Sequence, residues 1–190
     1  MLDETFAVRP AAQGEAGVLH ALAALTFPLA CPPSTTESAK AAFIEQHLSR
    51  AAFGSYLADP QRLVLVAERR AESSPGGTEP TSLIGYAMLV HGEPSDPDVA
   101  RAVQGRPTAE LSKLYVHPAQ HGGGVASALV EHALQSAAVQ GAVSVWLGVN
   151  IHNARANRFY EKAGFDVVGR KGFLVGEVIE DDFVRERLLE

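Results

Sequence analysis

Residues 114–129 read LYVHPAQHGGGVASAL, and within this stretch the chain passes from a strand-like run into a helix-like one. The apolar LYV run leads through a proline turn, and the glycines Gly122, Gly123 and Gly124 open the helical part. Glycines let the backbone approach a ligand closely, and the first turn of a helix leaves N–H groups without intrahelical partners. Together with the helix dipole, these amides predict a site for phosphate or diphosphate, although the same glycines also fit a simple flexible turn.

Two other nucleotide-binding motifs fit this segment poorly. A P-loop requires G-x-x-x-x-G-K-[ST], and no lysine follows the glycines. The dinucleotide motif G-x-G-x-x-G requires Gly or Ala at position 127, where Ser127 stands, and it expects an early first strand. Both alternatives are therefore disfavoured.

Working outward, the sequence predicts a mixed α/β fold, which we interpret as one domain spanning residues 1–190. Short apolar runs predict strands at 5–9, 62–68, 83–91, 109–116, 143–149, 166–173 and 182–188. Helical spacing, which includes Val18, Leu22 and Leu25 in the first case, predicts helices at 14–27, 36–48, 51–58, 125–140 and 153–163. Thr36 is the expected N-cap of the second helix, and Gly164 is the expected residue after the last. Turn residues predict irregular segments at 29–34 and 73–80, and a surface insertion at 92–108 with one helical turn near 98–104. The strand–helix–strand unit around the glycines predicts a parallel pair with a right-handed crossover, between hairpins that add antiparallel neighbours.

Composition limits the classes of partner. The chain has 190 residues, a formal net charge of -6 and a single cysteine, Cys31. The acidic balance argues against broad binding to nucleic-acid phosphates, and one cysteine excludes an internal disulfide or a thiolate metal cluster. No apolar run approaches the ~20 residues that span a membrane. We expect a cytoplasmic protein with a small-molecule substrate and no metal, nucleic-acid or membrane partner.

Two segments resemble the GNAT acetyltransferases. Residues 121–126, HGGGVA, are similar to the family's cofactor loop Q/R-x-x-G-x-G/A, with His121 where Gln or Arg is usual. Residues 153–165, NARANRFYEKAGF, are similar to the family's N-x-x-A-x-x-F-Y-x-K-x-G-F. The resemblance covers roughly residues 83–190. It implies a GNAT-like mixed sheet flanked by helices and splayed between its two central parallel strands, and it implies acetyl-CoA as co-substrate.

The resemblance also implies where the cofactor binds. Its pantetheine arm would pair with the backbone of the strand at 114–116, and its diphosphate would rest on the amides of residues 122–127. Asn153 would hold the pantetheine arm, although Asn is also among the best helix N-caps. The implied cofactor-binding residues are Leu114, Tyr115, Val116, His121, Gly122, Gly123, Gly124, Val125, Ala126, Ser127, Asn153 and Tyr160.

Two residues are candidates for proton transfer. Tyr160 is the candidate general acid, because with ordinary pKa values of ~8.5 for a thiol and ~10 for tyrosine, protonation of the departing thiolate is uphill by only ~2 kcal/mol. Its alternative role is a core aromatic. Glu110 is the candidate general base, directly or through water, because a primary amine must lose a proton before attack. A solvated residue at the strand start is the alternative for Glu110, and His117 is a competing base.

The acceptor is less well defined. Residues 110–116, ELSKLYV, and the tail at 173–184 resemble polyamine acetyltransferases of the PaiA type, which implies spermidine or a similar polyamine. Other amines, amino acids, antibiotics and a protein N-terminus remain alternatives, as does a non-catalytic acyl-CoA-binding or regulatory domain. We expect the first two helices, the insertion at 92–108 and the C-terminal strands to form the acceptor pocket. The oligomeric state is open, with a homodimer as one expectation.

Overall fold

The computed structural model describes residues 6–69, 82–175 and 177–189. In this part of the chain the strands are β1 (Phe6–Pro10), β2 (Arg62–Arg69), β3 (Leu83–His91), β4 (Thr108–Val116), β5 (Ser144–Asn150), β6 (Asp166–Val175) and β7 (Val178–Leu188). The helices there are α1 (Ala16–Ala30), α2 (Glu37–His47), α3 (Arg50–Ala58), α4 (Pro97–Ala102), α5 (Val125–Val139) and α6 (Ala154–Lys162). The predicted order of elements is confirmed, while the predicted loop at 73–80 lies outside the described residues.

The strands form one sheet in the order β1-β2-β3-β4-β5-β7-β6. β4 and β5 run parallel and the other neighbours run antiparallel, so the predicted mixed sheet is confirmed. β4 and β5 pair only from Thr108–Ser144 to Glu110–Trp146. Beyond Glu110 the two strands share no described pairing, so the sheet splays between its parallel strands as predicted. The candidate active site lies in this gap between β4 and β5.

Both faces of the sheet are covered by apolar side chains. On one face, α5 buries Val125 and Leu129 against the sheet. On the other face, α1 and α3 bury Leu19 and Phe53 around Tyr86. Because burying a large apolar side chain stabilises a fold by about 1.5–3 kcal/mol, these two layers hold the central strands rigidly.

The buried side of α1 differs from the predicted one. Val18 and Leu25, whose spacing predicted the helix, are 49% and 48% exposed. Leu22 is buried as its spacing indicated, and the core also receives Leu19, Ala23 and Phe27. Since α1 is apolar on nearly every side, periodicity alone could not select the face that packs.

The end of α1 also differs from the prediction. The segment at 29–34 was expected to be irregular, but α1 continues through Pro28 to Ala30. A proline this close to a helix end removes only one intrahelical bond, so the last turn survives. The irregular part begins at Cys31.

Local capping signals were predicted correctly. Thr36 begins α2, and its Oγ1 accepts a hydrogen bond from the Ala39 N–H at 3.1 Å. Gly164 follows α6 with φ +81, the left-handed conformation that favours glycine after a helix. Among the described residues, every helix is too short or too polar to traverse a lipid bilayer.

Candidate active site

The glycine segment after β4 forms a loop that ends at the first turn of α5. Gly122 and Gly124 have φ of +86 and +79, and a Cβ at either position would meet nothing within 4 Å. Glycine therefore serves the backbone conformation here and leaves open space beside it. The first intrahelical bond runs from the Ala128 N–H to the Gly124 carbonyl at 3.0 Å. The amides of residues 125–127 precede that bond and are free to bind an anion.

Gly123 departs from the predicted amide cradle. Its N–H donates to the Gln120 carbonyl at 3.2 Å, so this amide closes the turn within the loop. The amides left to bind an anion are therefore those of the first turn of α5.

His121 links the loop to two neighbouring elements. Its Nδ1 lies 3.1 Å from Arg155 Nη1, and its Nε2 lies 3.1 Å from the Val116 carbonyl oxygen. A guanidinium can only donate, so Nδ1 accepts and Nε2–H donates to Val116. The histidine thereby fixes the loop against the end of β4 and the start of α6, which gives this departure from the usual Gln or Arg a structural role.

The end of β4 presents backbone groups to the gap, among which the Val116 carbonyl already accepts a hydrogen bond from His121. The His117 N–H donates to the Ile84 carbonyl at 2.8 Å, while Val116 lies opposite Gly85. Hydrogen-bonded and non-hydrogen-bonded pairs alternate along an antiparallel ladder, so Val116 and Leu114 direct their N–H and C=O groups away from β3. These groups point towards β5, where an extended ligand can pair with them as a strand would.

Two cavities of about 260 Å³ each meet at this gap. The loop groove is the cavity bounded by Val116, His121, Ala126 and Arg155. The inner pocket is the cavity under α1, α2, β6 and β7. The residues that line both are Ala30, Leu114, Tyr115, Asn153, Ala156 and Tyr160. A ligand in the groove can therefore meet a second ligand in the pocket.

Tyr160 lies at the junction of the two cavities. Its ring packs edge-to-face against Phe159 and Phe165, with centroids at 5.2 Å and 5.9 Å. Burial raises the pKa of the Tyr160 phenol above its ordinary value of 10.0. The hydroxyl therefore stays protonated at neutral pH and can donate a hydrogen bond to a group in the gap.

Asn153 also lines both cavities. Its Oδ1 accepts a hydrogen bond from the Ala156 N–H at 3.0 Å, which caps α6. Asn153 is therefore the N-cap of α6. Its side chain also borders the space where the pantetheine arm of the cofactor is expected.

The inner pocket contains the predicted base, Glu110, which is the last residue of β4 that pairs with β5. Burial raises the pKa of Glu110, while the charges of Lys171, Lys113 and Arg62 oppose that shift. A carboxyl with a raised pKa is a stronger base once it is ionised. Glu110 is therefore placed where it could accept a proton from an amine.

Asp182 on β7 is a second candidate base, which the sequence analysis missed. It lines the same pocket, and burial raises its pKa to about 6, with Glu180 and Asp181 adding to the shift and Lys171 opposing it. Nothing in the local sequence marks Asp182, because its burial depends on the pairing of β7 with β5.

His117 and Cys31 have no catalytic geometry. His117 borders neither the loop groove nor the inner pocket, and its Nδ1 accepts from the Ala119 N–H at 3.2 Å. Burial raises the pKa of the Cys31 thiol, whose Sγ donates to the Phe27 carbonyl at 3.4 Å. A thiol held protonated in this way is a poor nucleophile.

The walls of the inner pocket correct one prediction. Phe27 of α1, Phe43 of α2 and Phe173 of β6 line it, as expected for the first helices and the C-terminal strands. The insertion at 92–108 does not. Its apolar residues Val99 and Val103 are buried against Trp146 and Val184, so the insertion packs on the sheet instead of covering the pocket.

Asp182 leads to a prediction about stability. The folded state holds this proton more tightly than the unfolded state, so stability falls as pH rises from 3.8 to about 6 and stays lowered above that. Asp182→Asn removes the buried charge and should raise the free energy of unfolding at pH 7.5 by about 1–2 kcal/mol, after allowance for solvent screening. Urea denaturation at pH 7.5 and pH 5 measures the gain, which should shrink at the lower pH. Asp181→Asn, an exposed neighbour, is the control, and a D182N variant less stable than wild type at pH 7.5 contradicts the prediction.

The chain is similar in sequence and in fold to known acetyltransferases. The Acetyltransferase (GNAT) family matches residues 31–165. Uncharacterised N-acetyltransferases of Mycobacterium bovis and Mycobacterium tuberculosis are each 42% identical over 175 residues, which is 92% of this chain and 98% of each relative. The PaiA N-acetyltransferase of Thermoplasma acidophilum in complex with coenzyme A has a TM-score of 0.71 at 20% identity, over 97% of this chain and 99% of that one. Arabidopsis thaliana NAA60 in complex with a bisubstrate analogue has a TM-score of 0.68 at 18% identity, over 98% of this chain and 100% of that one.

The two solved structures have the same fold as this chain. The family match and the mycobacterial relatives show the family to which it belongs. The chain belongs to the GNAT acetyltransferase family. It is an acetyl-CoA-dependent N-acetyltransferase.

Proposed function

We propose that the chain transfers the acetyl group of acetyl-CoA, bound in the loop groove, directly to a primary amine bound in the inner pocket. The observation that carries this proposal is the meeting of the two cavities at Tyr160. One cavity begins beside the amides of α5, and the other contains carboxylates that suit an ammonium group. Direct attack needs the two reactants in contact, and the shared lining provides that contact.

The cofactor would be held mainly by backbone groups. The amides of residues 125–127, with the open space beside Gly122 and Gly124, suit the diphosphate. The pantetheine arm would pair with Leu114 and Val116, beside Tyr115 and Asn153. His121 would hold the loop in place, since its own hydrogen bonds already join it to Val116 and Arg155.

The chemistry would proceed through one tetrahedral intermediate. Glu110 accepts a proton from the ammonium form of the acceptor, directly or through water, and the freed amine attacks the thioester carbonyl carbon. A backbone N–H of β4, at Val116 or a neighbour, stabilises the oxyanion. The C–S bond then breaks, and the departing CoA sulfur receives a hydrogen bond and finally a proton from Tyr160. The second proton that the nitrogen loses as the amide forms returns to the Tyr160 oxygen, directly or through water. Asp182 is the competing base.

The acceptor is the finer part of the proposal. The sequence resemblance implies a polyamine such as spermidine, and the pocket carboxylates Glu110, Glu180 and Asp182 support a cationic acceptor. Lys113 and Lys171 line the same pocket and oppose further ammonium groups. A cytoplasmic location and a homodimer are carried as proposals from the sequence analysis alone.

Release of CoA thiol tests the proposed function. Acetyl-CoA is offered with spermidine, simple primary amines and amino acids, and thiol formation is followed with a chromogenic thiol reagent. We expect release that depends on the amine and saturates with its concentration. Thermal stabilisation by acetyl-CoA without thiol release for any amine would instead favour the non-catalytic acyl-CoA-binding domain.

A further inference from the structure

We propose that the acceptor carries an anionic group, a carboxylate, in addition to its amine, and that Lys171 binds this group. The inference rests on the proposed function and defines the substrate class of the same site. It follows from the position of Lys171, from the charges around it and from the apolar wall opposite.

Lys171 reaches the inner pocket by crossing β5 at a glycine. A Cβ at Gly148 would lie 2.5 Å from Lys171 Cε and 3.2 Å from its Nζ, so a side chain at this position would displace the end of Lys171. A glycine inside a strand often marks such a close approach. The Nζ also lies 5.9 Å from the Trp146 ring centroid and 5.6 Å from that of Phe173, within the range of cation–π contact. The ammonium is therefore held in place and half-buried.

The charge of Lys171 acts on Glu110 and Asp182 across the pocket, but no carboxylate of the described residues contacts its ammonium group directly. Among residues 6–69, 82–175 and 177–189, neither Lys171 nor Lys113 forms an ion pair. Asp182 Oδ2 also lies 3.2 Å from the position of a Cβ on Gly148, yet it is not ion-paired with Lys171. The half-buried ammonium therefore has donors left that a bound anion could accept from. The carboxylates Asp182 and Glu110 remain available for the acceptor's ammonium group.

An aromatic wall supplies the third feature of the site. Phe27 and Phe43 stack with centroids at 4.5 Å, and Phe173 packs edge-on to Phe43 at 5.8 Å. These rings offer apolar contact to a substrate side chain. Amine, carboxylate and apolar side chain together describe an amino-acid-like acceptor. A polyamine offers Lys171 no anion and brings extra positive charge towards both lysines.

Matched acceptors test this inference by CoA thiol release. L-Phenylalanine and phenethylamine differ only in the carboxylate, and spermidine represents the polyamines. For the wild type we expect kcat/KM for phenylalanine to exceed that for phenethylamine by about tenfold or more. Lys171→Met should abolish this preference, chiefly through a higher KM for phenylalanine. Because the Lys171 charge also acts on Glu110, the readout is the ratio of kcat/KM for the two acceptors, which a general effect on the base leaves unchanged. Arg170→Met is the control, because the neighbouring Arg170 lies over the Phe183 ring and outside the pocket.

The outcomes separate the two proposals. A wild type that prefers spermidine or phenethylamine overturns the carboxylate site, as does a K171M variant that keeps the preference for phenylalanine. Absence of thiol release with every amine counts against the proposed function instead. In that case calorimetry with N-acetyl-L-phenylalanine and N-acetylphenethylamine on the CoA complex decides the anion contact, and equal affinity of the two, or no binding of either, overturns it.

Discussion

Replacing Tyr160 by phenylalanine should lower kcat by about 10²–10³-fold, within the range expected for loss of a general acid. The variant keeps the ring that packs on Phe159 and Phe165 and removes only the hydroxyl. Affinity for acetyl-CoA should change little, because the diphosphate and pantetheine contacts are expected elsewhere. Steady-state kinetics and calorimetric titration with CoA measure the two effects separately.

The raised pKa of Tyr160 sharpens this prediction. A phenol with a pKa above 10.0 transfers its proton to a thiolate less readily than tyrosine in water, so its main contribution is a hydrogen bond to the leaving sulfur. An acetyl thioester of an aryl thiol needs less of this help, because its thiolate is more stable. The rate loss in Y160F should therefore shrink with that donor.

Two other tyrosines provide the controls. Tyr86 has a buried hydroxyl without a hydrogen-bond partner among the described residues, so Tyr86→Phe should leave turnover unchanged. Tyr115 lines both cavities, and burial raises the pKa of its phenol. Unchanged turnover in Y160F, with the large loss in Tyr115→Phe, would reassign the acid to Tyr115.

Replacing Gly122 by alanine should weaken CoA binding by about tenfold or more. The added Cβ enters the open space beside the α5 amides, and it forces a non-glycine residue into φ +86. Gly141 has the same φ of +86 and equally open surroundings, but it lies after the far end of α5. Both substitutions carry a similar backbone strain of about 1–2 kcal/mol, so Gly141→Ala is a matched control for stability.

S-Acetylpantetheine, the part of acetyl-CoA that lacks the diphosphate, provides a second test of the effect of G122A. S-Acetylpantetheine should be used equally well by wild type and by G122A, because the affected amides have nothing to bind in it. Equal CoA affinity in G122A and G141A, or a parallel loss for acetylpantetheine, would contradict a diphosphate site at this loop.

Features that depend on local sequence were predicted well. The passage from β4 through the glycines into α5, the Thr36 cap and the Asn153 cap are each specified by residues within a few positions of one another. The splay of the sheet was implied by the family resemblance, and it is visible in the short pairing of β4 with β5. The two caps and the glycine turn require no knowledge of distant contacts.

Features that depend on tertiary packing were not predicted. The prediction of the buried face of α1 was wrong because apolar residues lie on nearly every side of that helix. The insertion at 92–108 was expected to line the pocket, but it packs on Trp146. Lys171 and Asp182 enter the pocket only because β6 and β7 pair beyond β5 and Gly148 leaves room above it. The charge pattern proposed to select the acceptor is therefore a property of the sheet, and no short motif reveals it.

A crystal structure with bound CoA tests the central claim most directly. We predict diphosphate oxygens within hydrogen-bonding distance of the amides of residues 125–127, the pantetheine arm alongside Leu114 and Val116, and the sulfur beside the Tyr160 hydroxyl. CoA bound elsewhere, with the gap between β4 and β5 closed by side chains, would contradict the account.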